Sequence, residues 1–381
     1  MSIYLDYAAA TPLDKNVEAA MQPFLSEYFH NPSATYLAGR YVRQQVEQSR
    51  AAVARLLGAK PSEIVFTAGA TEANNLAIQG VMNRFSHGEL LASAIEHQSV
   101  LEPAKLWGGQ EVLVNQQGLV DINRLESMIN PTTVLVSVMM VNNELGTVQP
   151  IKEIARLLQK IRIQRGRNRN KQPLYLHTDA AQAANYFDLN AARLGADLIS
   201  INGGKIYGPK QSGVLFIRTG VELRPLILGG GQELGRRSGT ENPAGAVGLA
   251  TALAIAAARR KTEGRRQEHL RRLFVAELTK HLPTALLNGA PKHSAPHIIH
   301  LSLPGTDNER VMMELDEQGI QCAVGSACSA ANHDTSHVLR AVGMSDKQAR
   351  SSLRFSLGRS TTETDVRRVV RLLRAITATD S

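Results

Sequence analysis

The sequence predicts an α/β protein: a mostly parallel sheet covered by helices on both faces, followed by a smaller α+β domain. Three observations predict it. Uninterrupted apolar or β-branched runs alternate with helical patterns over the first two-thirds of the chain. Such runs are expected of strands buried on both faces. Polar residues gather directly after those runs, where an open α/β sheet binds its ligands. The last third reads instead as a basic helix, two strands and a closing helix.

Taken in order, the strand-like runs are IVF (64–66), LLASAI (90–95), TTVLVSVMMV (132–141), LYLHTD (174–179), ADLISI (196–201) and GVLFI (213–217). The stretch 151–160 has helical spacing, and the intervening helices make this an α/β pattern. Asn242 and Pro243 suit a helix start, as N-cap and first-turn proline. An Ala-rich helix follows and leads toward a basic helical stretch at 259–281. HIIHLSL (297–303) and IQCAVG (320–325) read as strands, and 363–375 as the C-terminal helix. RIQRGRNRNK (162–171) reads as a solvated basic loop between a helix and a strand.

Composition narrows the function. The 381 residues are 43% hydrophobic and 20% charged, which is ordinary globular composition and excludes disorder or coiled coil for the whole chain. Net charge is +9, which permits acidic partners without showing one. Two cysteines exclude a disulfide framework and fit a reducing compartment. The N-terminus lacks the basic and apolar regions of a signal peptide, and no run is long enough for a membrane span. A soluble cytoplasmic protein is expected.

Five polar clusters follow five strand-like runs: Thr67 to Glu72, Glu96 with His97, Asn142 to Glu144, Asp179 with Gln182, and Lys205. Gly69, Ala70 and Thr71 precede a helix, whose first N–H groups would suit a phosphate. Asp179 at a strand end could pair with a protonated ring nitrogen. Lys205, one strand-helix-strand step later, could form an imine with an aldehyde. Each alone has a bland reading, as a turn, a cap or a solvated cation. Phosphate, ring nitrogen and aldehyde together describe pyridoxal 5'-phosphate.

The chain resembles the cysteine desulfurases of the NifS/IscS type, fold-type I pyridoxal-phosphate enzymes. The segments that carry the resemblance run in the family's order along nearly the whole chain: YLDYAAATP (4–12), NPSA (31–34), FTAGATEANN (66–75), EHQSV (96–100), VNNELGTVQPI (141–151), HTDAAQ (177–182), GKIYGPK (204–210), GGGQELGRRSGTEN (229–242), GSACSA (325–330) and RFSLGR (354–359). The resemblance implies a seven-stranded sheet in a large domain at 13–255. Residues 1–12 and 256–381 then form the small domain, which carries the catalytic cysteine loop.

It also implies roles. Lys205 matches the lysine that holds the cofactor as a Schiff base, and His97 the histidine stacked on its ring, which also moves protons. Asp179 matches the partner of the ring nitrogen, Gln182 the donor to the phenolic oxygen, and Ala70, Thr71 and Asn202 the phosphate region. Thr240 resembles the threonine that reaches the neighbouring subunit's phosphate, which implies a homodimer. Asn143, also beside the cofactor, and Arg354 match the groups that hold the substrate carboxylate, a task for which the planar guanidinium is suited. Cys328, in a small flexible setting, resembles the nucleophile that takes sulfur from L-cysteine, leaves L-alanine, and passes the persulfide to an acceptor in iron–sulfur assembly or tRNA thiolation. Cys322, in an apolar strand, fits a packing residue.

The sequence departs from the family in places. Ser-x-His usually precedes the lysine, whereas here the segment reads Asn202-Gly203-Gly204-Lys205, so an imidazole contact to phosphate is missing. Weaker cofactor binding is the expectation. Tyr36 stands where the family has a histidine. The chain stops soon after its C-terminal helix, where members that dock an iron–sulfur scaffold by a longer tail have more sequence, so docking of that kind is not expected. The spacing from Cys328 to Val338 is long, as in NifS/IscS rather than the SufS group.

Rival readings stay open at this point. Cys322, Cys328, His333 and His337 could be four zinc ligands, but the cysteine spacing of six is outside the usual pattern. A nucleic-acid binder would use the positive charge, yet aromatics are only 4% and no binding motif accompanies them. A selenocysteine lyase or aminotransferase would keep the cofactor and need no thiol.

Overall fold

The computed structural model describes residues 2–325 and 335–378. A seven-stranded sheet runs in the order β2 (Ile64–Thr67), β8 (Gly213–Ile217), β7 (Leu198–Asn202), β6 (Tyr175–Asp179), β5 (Thr133–Ser137), β3 (Glu89–Ser93), β4 (Gln110–Val112). The pairs from β7 to β4 are parallel, and β8 runs antiparallel to both its neighbours. Six strands therefore point the same way, and their carboxyl ends share one edge.

The sheet is buried on both faces because its residues alternate between two cores. Ile64, Val214 and Phe216 enter one, while Val65, Leu215 and Ile217 enter the other. Period-two alternation with apolar residues at both phases gives the continuous runs of the sequence.

A third core lies around a three-stranded sheet, β12 (Ser352–Ser356), β10 (Ile298–Ser302) and β9 (Leu286–Leu287). The N-terminal β1 (Ile3–Tyr4) pairs in parallel with β11 (Ile320–Gln321) beside it. One helix, Pro243–His281, joins these parts. Its 39 residues span roughly 58 Å at 1.5 Å each. Leu249 and Leu253 pack in the core of the large sheet, while Leu270, Phe274 and Leu278 pack in the third core. Asn242 caps it through its side-chain oxygen, with Pro243 in the first turn. The Ala-rich and basic stretches are thus one helix.

Three expectations need correction. The run at 132–141 yields a strand only to Ser137; the Met139 N–H is given to the buried Glu96 side chain, while the Val138 and Met140 N–H groups still reach the His177 and Asp179 carbonyls of β6. Sequence reading missed β4, a three-residue edge strand with two exposed residues and no apolar run. The basic loop at 162–171 is largely helix, since Ile151–Arg167 is helical. Arg165 is buried there, donating to the carbonyls of Asn130 (2.6 Å) and Thr133 (2.9 Å). Arg162 pairs with Asp197. These cations close the sheet's helix layer more than they face solvent.

Candidate active site

Parallel strands carry the polar clusters to one place. Ala70, Thr71, His97, Asn143, Asp179, Gln182, Asn202, Lys205 and Arg354 line one cavity of about 140 Å³. The first eight follow or end β2, β3, β5, β6 and β7, and Arg354 comes from β12. Thr240 is elsewhere. It lines a second cavity, of about 210 Å³, with Arg237, Glu241 and Asn242. Cys328 and His333 lie outside the described residues. Among the described residues no group of three or more His, Cys, Asp or Glu side chains is arranged to hold a metal, and no helix is long and apolar enough to cross a membrane.

The turn before the helix Ala70–Arg84 depends on Gly69, whose φ of 108° and ψ of 175° suit glycine alone. No side chain caps this helix, so its first N–H groups stand at the cavity wall without a side-chain acceptor. Asn202 adds a donor. Its Oδ1 accepts from the Gly204 N–H at 3.0 Å, which leaves the amide nitrogen for a ligand.

Asp179 closes β6 with 5% exposure. Its Oδ1 accepts from the Ala181 N–H (2.8 Å) and its Oδ2 from the Asn74 amide (2.7 Å). Both donors are neutral. Lys205 sits in a short turn after β7, and its Nζ donates to the Ala9 carbonyl. His97 caps the helix Gln98–Leu106 and is bonded to Ser99. Burial lowers the pKa of His97 most; Asp179 opposes that, and Lys205 and His337 add to it. Glu96 beside it is held well above the usual carboxylate range, by burial first and by the Asp179 charge second.

Arg354 is a fully buried side chain on β12. Its Nη2 donates to Asp6 Oδ1 at 2.6 Å and its Nη1 to the Asn143 carbonyl at 2.9 Å. Its backbone pairs with Ala323, just before the cysteine-bearing segment. His297 and His300 lie near it, both pushed down to about 3 by burial first and by the Arg354 charge second. Gln182 lines the cavity, and its amide donates to the Ala8 carbonyl at 2.9 Å.

Sequence reasoning did not single out Ala8, Ala9, Asn74, Ser99 or Asp6 as parts of the site. The first two and Asp6 sit in the quoted YLDYAAATP segment, and Asn74 in FTAGATEANN, but those motifs carried no roles for them.

Comparison with known proteins agrees with this geometry. Residues 3–369 match the family described as aminotransferase class-V. The cysteine desulfurase IscS of Dictyoglomus turgidum is 39% identical, over 98% of this chain and 94% of that protein. The human cysteine desulfurase is 40% identical over 96% of this chain and 79% of its own length. A solved NifS-like protein superposes over all of both chains with a TM-score of 0.91 at 32% identity. The chain belongs to the aminotransferase class-V family, where it stands beside cysteine desulfurases of the NifS/IscS kind.

Proposed function

We propose that this protein is a pyridoxal-phosphate-dependent cysteine desulfurase. It converts L-cysteine and the Cys328 thiol into L-alanine and a Cys328 persulfide. The terminal sulfur then passes to a protein acceptor of iron–sulfur assembly or tRNA thiolation. One observation carries the reading: a carboxylate, a lysine, a histidine and a buried arginine converge on one cavity at the carboxyl edge of a parallel sheet.

The donor set suits the cofactor. Asp179 is a buried carboxylate held only by neutral donors, so a protonated ring nitrogen would supply the missing positive charge. The uncapped helix start at Ala70 and Thr71 and the Asn202 amide would hold the phosphate. When bound, pyridoxal phosphate provides an electron sink for charge developing at the substrate Cα.

The chain's residues do the rest. Arg354 and Asn143 hold the substrate carboxylate, and Asp6 fixes the guanidinium that does so. Lys205 Nζ takes the Cα proton, and His97 serves as a proton donor on the ring side. Cys328 is the nucleophile. Cys322 is unsuited to that task, because burial first, and Asp6 second, push its thiol up to about 12.

A homodimer suits the reading. Leu25, Phe29, Tyr36 and Leu37 are large apolar side chains left exposed near one another in sequence, each more than half accessible. The Thr240 cavity would face the second copy's phosphate site. We place the enzyme in the cytoplasm, whose reducing conditions suit a chain with only two cysteines, of which Cys322 is unpaired.

The test is sulfide release from L-cysteine with saturating pyridoxal phosphate and a reductant. Sulfide with an equal yield of alanine supports the reading, and Cys328→Ala should abolish both. Desulfuration that survives Cys328→Ala would point to a lyase that needs no thiol.

A further inference from the structure

We infer that Asn74 and Ser99 are positioning residues that hold His97 as the Nε2–H tautomer, through a hydrogen-bond chain that starts at Asp179. The direction of that chain follows from its donors. Asp179, when ionised, can only accept, so the Asn74 side chain must turn its NH₂ toward Oδ2, at 2.7 Å. The same NH₂ reaches Ser99 Oγ at 2.8 Å. Ser99 Oγ therefore accepts from Asn74 and has its own proton to give. Its neighbour is His97 Nδ1, 2.8 Å away. The Ser99 backbone N–H also points at Nδ1, at 3.1 Å. A nitrogen that receives two donors carries no proton of its own, so the ring proton sits on Nε2.

The arrangement is buried enough to be decisive. Asn74 is wholly inaccessible and Ser99 is 8% exposed, so water does not compete for these bonds. Protonating Nδ1 would set its new N–H against two donors at a helix N-terminus, where positive charge is already disfavoured. The charged groups facing His97 are Asp179, which favours the cation, and Lys205 and His337, which oppose it.

The consequence is a cavity-lining imidazole that meets its ligand as a hydrogen-bond donor at Nε2 and resists becoming a cation. The carboxylate expected to hold the cofactor's ring nitrogen also orients the histidine on that ring. Neutralising one end of the chain would loosen the other. This consequence rests on the desulfurase reading. The tautomer itself is a property of the protein, so its failure would leave that reading intact.

The experiment is ¹⁵N NMR of the full-length protein with labelled histidine rings, with His97→Gln used to assign the His97 signals. The expected spectrum has Nδ1 at the unprotonated and Nε2 at the protonated position. Ser99→Ala keeps the backbone donor and removes the hydroxyl. It should shift the tautomer ratio about five-fold toward Nδ1–H, the equivalent of one hydrogen bond, and raise the ring's pKa. Ser99→Thr should restore both. An Nδ1–H ring in the unaltered protein overturns the proposal. So does a Ser99→Ala spectrum unchanged from the parent, since Ser99 Oγ and Asn74 would then have no part in the tautomer. The tautomer is read on the parent protein and a variant serves only to assign its signals, so misfolding of Ser99→Ala cannot hide the answer.

Discussion

The two flanks of the cavity handle buried charge in opposite ways. On the sheet side, Asp179 is held by two neutral donors, the Asn74 amide and the Ala181 N–H. On the other side, Arg354 is already paired with Asp6 and bonded to the Asn143 carbonyl. A buried carboxylate without a cation retains its demand for one. A buried guanidinium with a built-in carboxylate has spent part of that demand on orientation. The sheet side is therefore prepared for a ligand that stays, and the Arg354 side for one that comes and goes.

The sharpest way to break this contrast is Asp179→Asn. It keeps the shape and removes the charge that a protonated ring nitrogen would meet. Turnover should fall by about 10²–10³-fold, the usual loss when one preorganised electrostatic partner goes. Steady-state sulfide release measures it, and a loss below ten-fold would mean that Asp179 is an ordinary strand cap.

On the other flank, Arg354→Lys should act mainly on binding. A lysine cannot grip a carboxylate with two parallel bonds. KM for L-cysteine should rise by roughly 10–100-fold, the worth of one charged hydrogen bond, with kcat much less affected. An equal loss in kcat would show that Arg354 acts beyond holding substrate. Asp6→Asn separates orientation from grip, since it leaves the guanidinium in place but unpaired. It should lower stability by about 1–3 kcal/mol, seen as a lower urea midpoint.

The flanks should also differ in acid. His297 and His300, by Arg354, are held down at about 3 by burial, and His177, on β6, at about 4. Each is neutral when folded, against an ordinary value of 6.5. Between those limits the unfolded chain binds more protons than the folded one, so stability rises with pH. The contribution is complete above about 6.5. It is lost as pH falls toward 4 for His177 and toward 3 for the other pair. Urea unfolding at a series of pH values should show this acid slope. His300→Gln should flatten its lower end, and an unchanged slope would mean that His300 is not buried neutral.

What was legible in the sequence follows the same division. Thr71, His97, Asn143, Asp179 and Lys205 each stand at or just beyond a strand end. Parallel strands gather such positions at one edge, so local pattern was sufficient to group them. The chain Asp179, Asn74, Ser99, His97 was not legible. Its links cross 105 and 25 residues, and no local signature marks which Asn will face which Asp. Asp6 with Arg354 spans 348 residues. Lys205 and Gln182 meet Ala9 and Ala8 through backbone carbonyls, which side-chain chemistry cannot announce. The over-long strand at 132–141 failed for a related reason. Apolar content predicts burial, but it does not show that the Glu96 side chain takes the Met139 N–H from the sheet.

The smallest expected effect tests the phosphate end of the sheet side. Gly204 stands where the resemblance implies a histidine, and its conformation does not require glycine, since it is absent from the residues with positive φ. A Cβ at this position would meet Asn202 Oδ1 at 3.4 Å and Lys210 Cα at 3.9 Å, which is ordinary contact. The Gly204 carbonyl is fixed by Thr11, through its N–H at 3.1 Å and its hydroxyl at 3.0 Å, so the backbone should hold when a side chain is added. Gly204→His therefore adds a donor without forcing the turn to move. One charge-assisted hydrogen bond to phosphate should slow cofactor loss on dialysis by roughly ten-fold. Retention equal to that of the parent would mean that the Asn202 amide and the uncapped N–H groups at Ala70 and Thr71 already satisfy the phosphate. The glycine would then mark a site that holds the phosphate without an imidazole.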